Sequence, residues 1–220
     1  MPITSRNILQ LLTLNGVILN MNYLAHAYLS FSDADILAGN MISDFVKGKL
    51  KYSYPVGIQN GIQLHRLVDT FTDDHQSTKH AKSFFKSTYR LYAGAFVDVV
   101  YDHFLALDQK QFEKYDGLKN FSQETYRLLE KNVHLFPLRF QKMFPYMKSQ
   151  DWLYNYQFKE GIQQSFGGLM RRARYINETA SAFEVFNDNY DALQQCYNTF
   201  FPDILHFAKE KFDEICTHKS

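Results

Sequence analysis

The sequence predicts a single compact all-α domain, and three observations carry that prediction. Glycine (10) and proline (5) are scarce in 220 residues, whereas tyrosine (15) and phenylalanine (20) are abundant, so most of the punctuation that hairpins need is missing. Apolar residues recur at three- and four-residue spacing, the period of a helix face. No stretch alternates apolar and polar residues over a convincing strand length, and no repeat, low-complexity segment or Pro/Ser-rich linker interrupts the chain.

The elements follow in order. Residues 1–20 hold one early cation, Arg6, and the modest apolar run Ile8 to Leu19. That run is too short and too polar for a membrane span, which needs ~20 apolar residues. It is not followed by the small-x-small site of a secretory leader. It is read as an extra N-terminal segment, either an over-long start or a loosely attached helix, with the working domain spanning 21–220. From 61 to 77, Leu64, Leu67, Val68 and Phe71 fall at i, i+3, i+4 and i+7, which defines a helix. Its neighbouring flank carries His65, Asp69 and Asp73, each four residues from the last. Residues 94 to 107 are apolar almost all round and predict a buried helix, with Asp98 and Asp102 as exceptions. Asp108 to Gly117 is polar and reads as a surface loop. Residues 121–136 and 150–170 predict further helices, with Pro137 and Pro145 between them, and 177–215 predicts one or two more, split near Pro202.

Composition narrows the function. Twenty-four Lys and Arg against 23 Asp and Glu leave a net charge of +1, so no global field announces nucleic acid or an anionic membrane. Cys196 and Cys216 form no CxxC pair, which excludes a disulfide framework or a thiolate zinc site and fits a reduced, cytoplasmic setting. Gly-x-Ser-x-Gly, Walker and Gly-x-Gly-x-x-Gly turns are absent, and Cys196 has no activating base in the sequence around it.

Histidine and aspartate concentrate in the first half, at His26, Asp44, His65, Asp69, Asp73, Asp98, Asp102 and His103. Taken alone, His65 and Asp69 make an ordinary surface or capping pair, Asp73 with Asp74 a solvated helix face, and His103 a hydrogen-bonded core histidine. Asp98 and Asp102 resist that treatment, because an isolated buried carboxylate costs several kcal/mol. A divalent ion held by imidazole and carboxylate is the simplest cation to meet them. Arg171, Arg172 and Arg174 form a local basic cluster suited to a phosphate or an acidic protein, or equally to a solvated helix end.

Four ordered segments together resemble the acyl carrier protein phosphodiesterase family, also called acyl carrier protein hydrolase. They are Met21-Asn22-Tyr23-Leu24-Ala25-His26, Gly39-Asn40 through Asp44-Phe45-Val46-Lys47-Gly48, Gly61 through His65-Arg66-Leu67-Val68-Asp69 to Asp73, and Asp98-Val99-Val100-Tyr101-Asp102-His103. The similarity runs on through Trp152 and Gly167-Gly168-Leu169-Met170-Arg171-Arg172, over about residues 21 to 210. The resemblance implies an all-α fold of the HD-type metal-dependent phosphohydrolases. It also implies hydrolysis of the phosphodiester joining 4′-phosphopantetheine to the serine of holo-acyl carrier protein, with Mn²⁺ as the preferred ion. Carried over by position, the expected ligands are His26, Asp44, His65, Asp69 and Asp102. Asp44 or Asp73 would orient or deprotonate water, Arg66, Arg171 and Arg172 would bind phosphate or the carrier's acidic helix, and Asp98 and His103 would be additional site residues. The chain departs from the HD pattern in splitting its central pair as His65-xxx-Asp69. Holo-acyl carrier protein is the expected partner, with no nucleic acid and no membrane. Two competing readings use the same residues: a phosphohydrolase of nucleotides or other small phosphoesters, and a non-catalytic helical module that binds the carrier.

Overall fold

The computed structural model describes residues 23–112, 116–172 and 180–217, which form eleven α-helices and short 3₁₀ turns, with no strand among the described residues. The expected N-terminal segment lies outside them, as do Met21, Asn22 and Arg174; the side chains of Arg171 and Arg172 are likewise not described.

Helix α1 (Tyr23–Tyr28) ends in a turn where Phe31 and Ser32 take positive φ (49° and 61°). Asp33 then caps α2 (Ala34–Ile42), its side chain accepting from the amides of Asp35 at 3.0 Å and Ile36 at 2.9 Å. Two 3₁₀ turns, Ser43–Phe45 and Gly48–Ser53, lead to α3 (Val56–Asp74). Helix α3 lies against α2 at backbone distance. A Cβ on Gly39 would meet the Ile58 carbonyl oxygen at 2.1 Å, and one on Gly61 the Ile36 oxygen at 2.2 Å. Only a glycine pair lets the two helices cross this closely.

Helix α4 (Gln76–Tyr89) starts immediately after His75, and the turn Arg90–Tyr92 feeds α5 (Ala93–Leu107). Nearly every residue of α5 is buried, so it is the central helix the composition predicted. The second half comprises α6 (Gly117–Glu130), a turn at Val133–Leu135, α7 (Leu138–Ser149), α8 (Trp152–Asn155), α9 (Lys159–Arg172), α10 (Ala180–Asp188) and α11 (Tyr190–Thr217). Helix α11 closes the core over α3 and α5 through aromatic stacks, Phe207 on Phe71 at 4.6 Å and Phe200 on Tyr101 at 4.9 Å.

Three expectations need correction. Helix α11 runs unbroken through Pro202. An interior proline costs ~3 kcal/mol, but Phe200, Phe201 and Ile204 around it are all buried, each contributing about 1.5–3 kcal/mol. Pro145 likewise lies inside α7. The helix expected over 150–170 is divided by a turn at Tyr156, whose freed carbonyl accepts a 2.7 Å hydrogen bond from His103 Nδ1.

Candidate metal centre

Helix α3 carries His65 and Asp69 one turn apart, and α1 brings His26 over them. The two imidazoles stack with centroids 3.9 Å apart and planes inclined by 17°. Both converge on one carboxylate: His26 Nε2 lies 3.2 Å from Asp69 Oδ1, and His65 Nε2 lies 3.1 Å from Asp69 Oδ2. The 3₁₀ turn after α2 adds Asp44, whose Oδ1 is 3.4 Å from His65 Nε2. Each histidine is almost completely buried, while Asp44 and Asp69 keep one edge to solvent.

None of the four ring nitrogens of His26 and His65 has a hydrogen-bond partner with acceptable alignment, although all four are buried. Buried polar atoms are normally satisfied, and these side chains instead crowd round one point. One donor atom each from His26, His65 and Asp69 lies within 4.8 Å of the others. Two imidazoles with one or two carboxylates suit a divalent first-row cation, so the residues present fit the ion that the resemblance implies. Charge is divided unevenly within the centre. Burial pulls His65 down, but the Asp69 and Asp44 carboxylates outweigh it and push its pKa up to about 10. Burial and the neighbouring His65 hold His26 below its ordinary value. Burial raises Asp69, yet His65 and then His26 bring it well below the carboxylate range.

A second layer fixes the first. Asp102, expected as a ligand, instead gives its two oxygens to the start of α1, accepting from the Leu24 amide at 3.0 Å and the Ala25 amide at 2.8 Å. It is a buried cap supplied from another helix, satisfying two amides that the first turn of α1 leaves without an intrahelical partner. Burial holds its carboxyl well above the usual range, with the Ala25 and Leu24 amides opposing. The His26 carbonyl is held by Asn40 Nδ2 at 3.0 Å and Ser30 Oγ at 2.7 Å. Asn40 and Ser30 were not foreseen as site-building residues. The available signal was an asparagine inside the apolar run from Ile36 to Ile42.

The other expected residues stand apart. Asp73 is exposed, and its Oδ1 is 2.6 Å from Lys82 Nζ. Asp98 is buried without a hydrogen bond or ion pair among the described residues. Burial, then the Asp69 charge, holds it well above the carboxylate range. His103 is a core histidine whose Nδ1 donates to the Tyr156 carbonyl at 2.7 Å and whose Nε2 lies 3.0 Å from the Tyr190 hydroxyl. Arg66 donates to the Val46 carbonyl at 2.8 Å, which pins the segment following Asp44. Cys196 does meet an imidazole, His80 Nδ1 at 3.7 Å, but burial raises the thiol pKa.

A helical body that buries two stacked imidazoles on one shared carboxylate defines a class: all-α proteins organised round a histidine–carboxylate centre. Within it, the chain belongs to the acyl carrier protein phosphodiesterase family, whose model matches residues 21–204. It is similar to proteins named acyl carrier protein phosphodiesterase from Yersinia pestis and Serratia proteamaculans (strain 568), each 32% identical over 191 residues, covering 87% of this chain and 99% of the relative. The relative of that name from Enterobacter sp. (strain 638) is 30% identical over the same coverage. No solved structure matches the chain. Among the described residues, no helix is long and apolar enough to cross a membrane.

Proposed function

We propose that this chain is a divalent-metal-dependent phosphodiesterase that releases 4′-phosphopantetheine from the serine of holo-acyl carrier protein, acting in the reducing cytoplasm that its unpaired cysteines suit. The observation that carries the reading is the buried, unsatisfied pair His26 and His65 on Asp69, in a chain whose family bears that activity in its name. His26 Nε2, His65 Nε2 and Asp69 would hold the ion, with Asp44 at its solvent edge, and the mixed imidazole and carboxylate set suits Mn²⁺. When bound, that ion supplies Lewis acidity, which makes water nucleophilic near neutral pH and neutralises charge on the phosphoryl oxygens.

The chain's own residues do the rest. Asp44, about a fifth exposed, is the carboxylate available to accept a proton from the incoming water. The water oxygen bonds to phosphorus as the bond from phosphorus to the serine oxygen breaks. The proton returns to that oxygen, leaving apo-carrier and 4′-phosphopantetheine. Asn40, Ser30 and Asp102 keep His26 at its place through the backbone of α1.

Mass spectrometry of the carrier after incubation with the protein and Mn²⁺ tests the reading. The carrier is expected to lose the mass of the prosthetic group, and Asp44→Ala abolishes that loss while the circular dichroism spectrum is kept. An unchanged carrier mass together with turnover of nucleotides would sink the assignment.

A further inference from the structure

Helix α4 places Lys79, Lys82 and Lys86 at i, i+3 and i+7, so they form one row along one side of the helix, and Arg90 follows at its C-cap. All four line a single cleft of about 390 Å³ between α4 and the first turn of α5. Two are partly neutralised: Lys82 by Asp73 at 2.6 Å and Lys79 by Asp74 at 3.9 Å. Lys86 and Arg90 have no acidic partner among the described residues. Two uncompensated cations therefore face one concave place.

Two further observations show that the rim is built. Arg90 takes φ 45°, a conformation that a non-glycine side chain adopts only at a cost in strain. It turns the chain so that Leu91 stands 92% exposed beside the cations. A free phosphate has no use for an exposed leucine, whereas a protein surface carrying both carboxylates and apolar side chains does. The cleft also begins one turn of α3 beyond Asp69, where Asp73 lines it, as does Asp98.

We propose that this cleft docks the carrier protein through a surface that bears both carboxylates and apolar side chains, with Lys86 and Arg90 meeting the carboxylates and Leu91 the apolar side chains, so that the modified serine reaches the His26–His65–Asp69 centre. The inference rests on the carrier-protein reading given above. It assigns the positive patch to α4, where the sequence had singled out Arg66, Arg171 and Arg172.

The test compares the wild-type chain with Lys86→Glu/Arg90→Glu, using holo-acyl carrier protein and bis(p-nitrophenyl) phosphate as the two substrates with Mn²⁺. The reversal lowers the ratio of carrier kcat/KM to small-diester kcat/KM by about tenfold or more, through KM. Wild-type KM rises steeply with salt, and the dependence flattens in the variant. Should the double reversal fail to fold, Leu91→Glu at the exposed rim lowers the same ratio. An unchanged ratio overturns the docking site and leaves the hydrolase reading standing. If wild-type protein releases nothing, calorimetric titration with apo-carrier decides. An affinity weakened about tenfold by the reversal keeps the docking site while the hydrolase reading falls; equal affinity overturns the docking site. Loss of binding to phosphatidylglycerol vesicles with carrier KM unchanged overturns it in favour of a membrane.

Discussion

Asp102 and His103 sit side by side inside α5, and the chain itself answers their polar atoms. Asp102 takes the Leu24 and Ala25 amides, and His103 takes the Tyr156 carbonyl and the Tyr190 hydroxyl. His26 and His65 are just as buried, yet their ring nitrogens only approach Asp69 and Asp44 without hydrogen-bond alignment. The residue types are the same in both regions, so chemistry is not written in residue type. A buried polar group satisfied within the chain builds the fold, and one left unsatisfied where donors converge is the place to test for a ligand.

The sharpest way to break that contrast is Asp102→Asn. The amide accepts one α1 hydrogen bond and presents an N–H to the other donor, so stability falls by about 3 kcal/mol. For a chain of this size that is a Tm drop of about 10 °C, read by thermal denaturation. A Tm within ~2 °C of wild type would make Asp102 a free carboxylate and erase the distinction between the regions.

A smaller effect separates them by pH. A metal ion takes neutral imidazole, and His65 carries its proton up to about pH 10 in the metal-free protein. His26, with its value lowered, is already neutral. Each ion bound between pH 7 and 9 therefore displaces about one proton, and Mn²⁺ affinity rises about tenfold per pH unit. Calorimetry in buffers of different ionisation enthalpy counts that proton, and a count of zero would contradict the arrangement. The same shift acts on stability. The folded value lies above the ordinary 6.5, so the stabilisation from His65 pairing is complete below pH 6.5 and disappears as pH rises through about 10.

The smallest effect belongs to His103→Phe. It removes the hydrogen bonds of His103 to the Tyr156 carbonyl and the Tyr190 hydroxyl at a cost of about 1–2 kcal/mol in urea denaturation. Carrier release by the folded protein is unchanged, whereas a lost metal dependence would move His103 into the centre.

Much of this was legible in advance because it is local. The 3.6-residue period alone set His65 and Asp69 on one flank of α3, and an apolar run with two lone aspartates marked α5 as the buried helix. Pro202 misled because a proline's cost is local while the burial of Phe200, Phe201 and Ile204 that offsets it is not. The α4 cations were passed over because helix 76–89 has a polar sequence whose spacing was not followed. Only the cleft against α5 joins the four side chains into one feature.

By itself the sequence determined the helical class, the His65–Asp69 flank and the set of acids and imidazoles from which a centre is drawn. Tertiary structure alone decided which of them meet. It stacked His26 on His65, let Asp44 touch the edge, turned Asp102 onto the amides of α1, and left Asp73 on Lys82. The reason is geometric. Spacing along one helix follows from its pitch, but which face of that helix meets another depends on how separate helices pack, here on a crossing that only Gly39 and Gly61 allow.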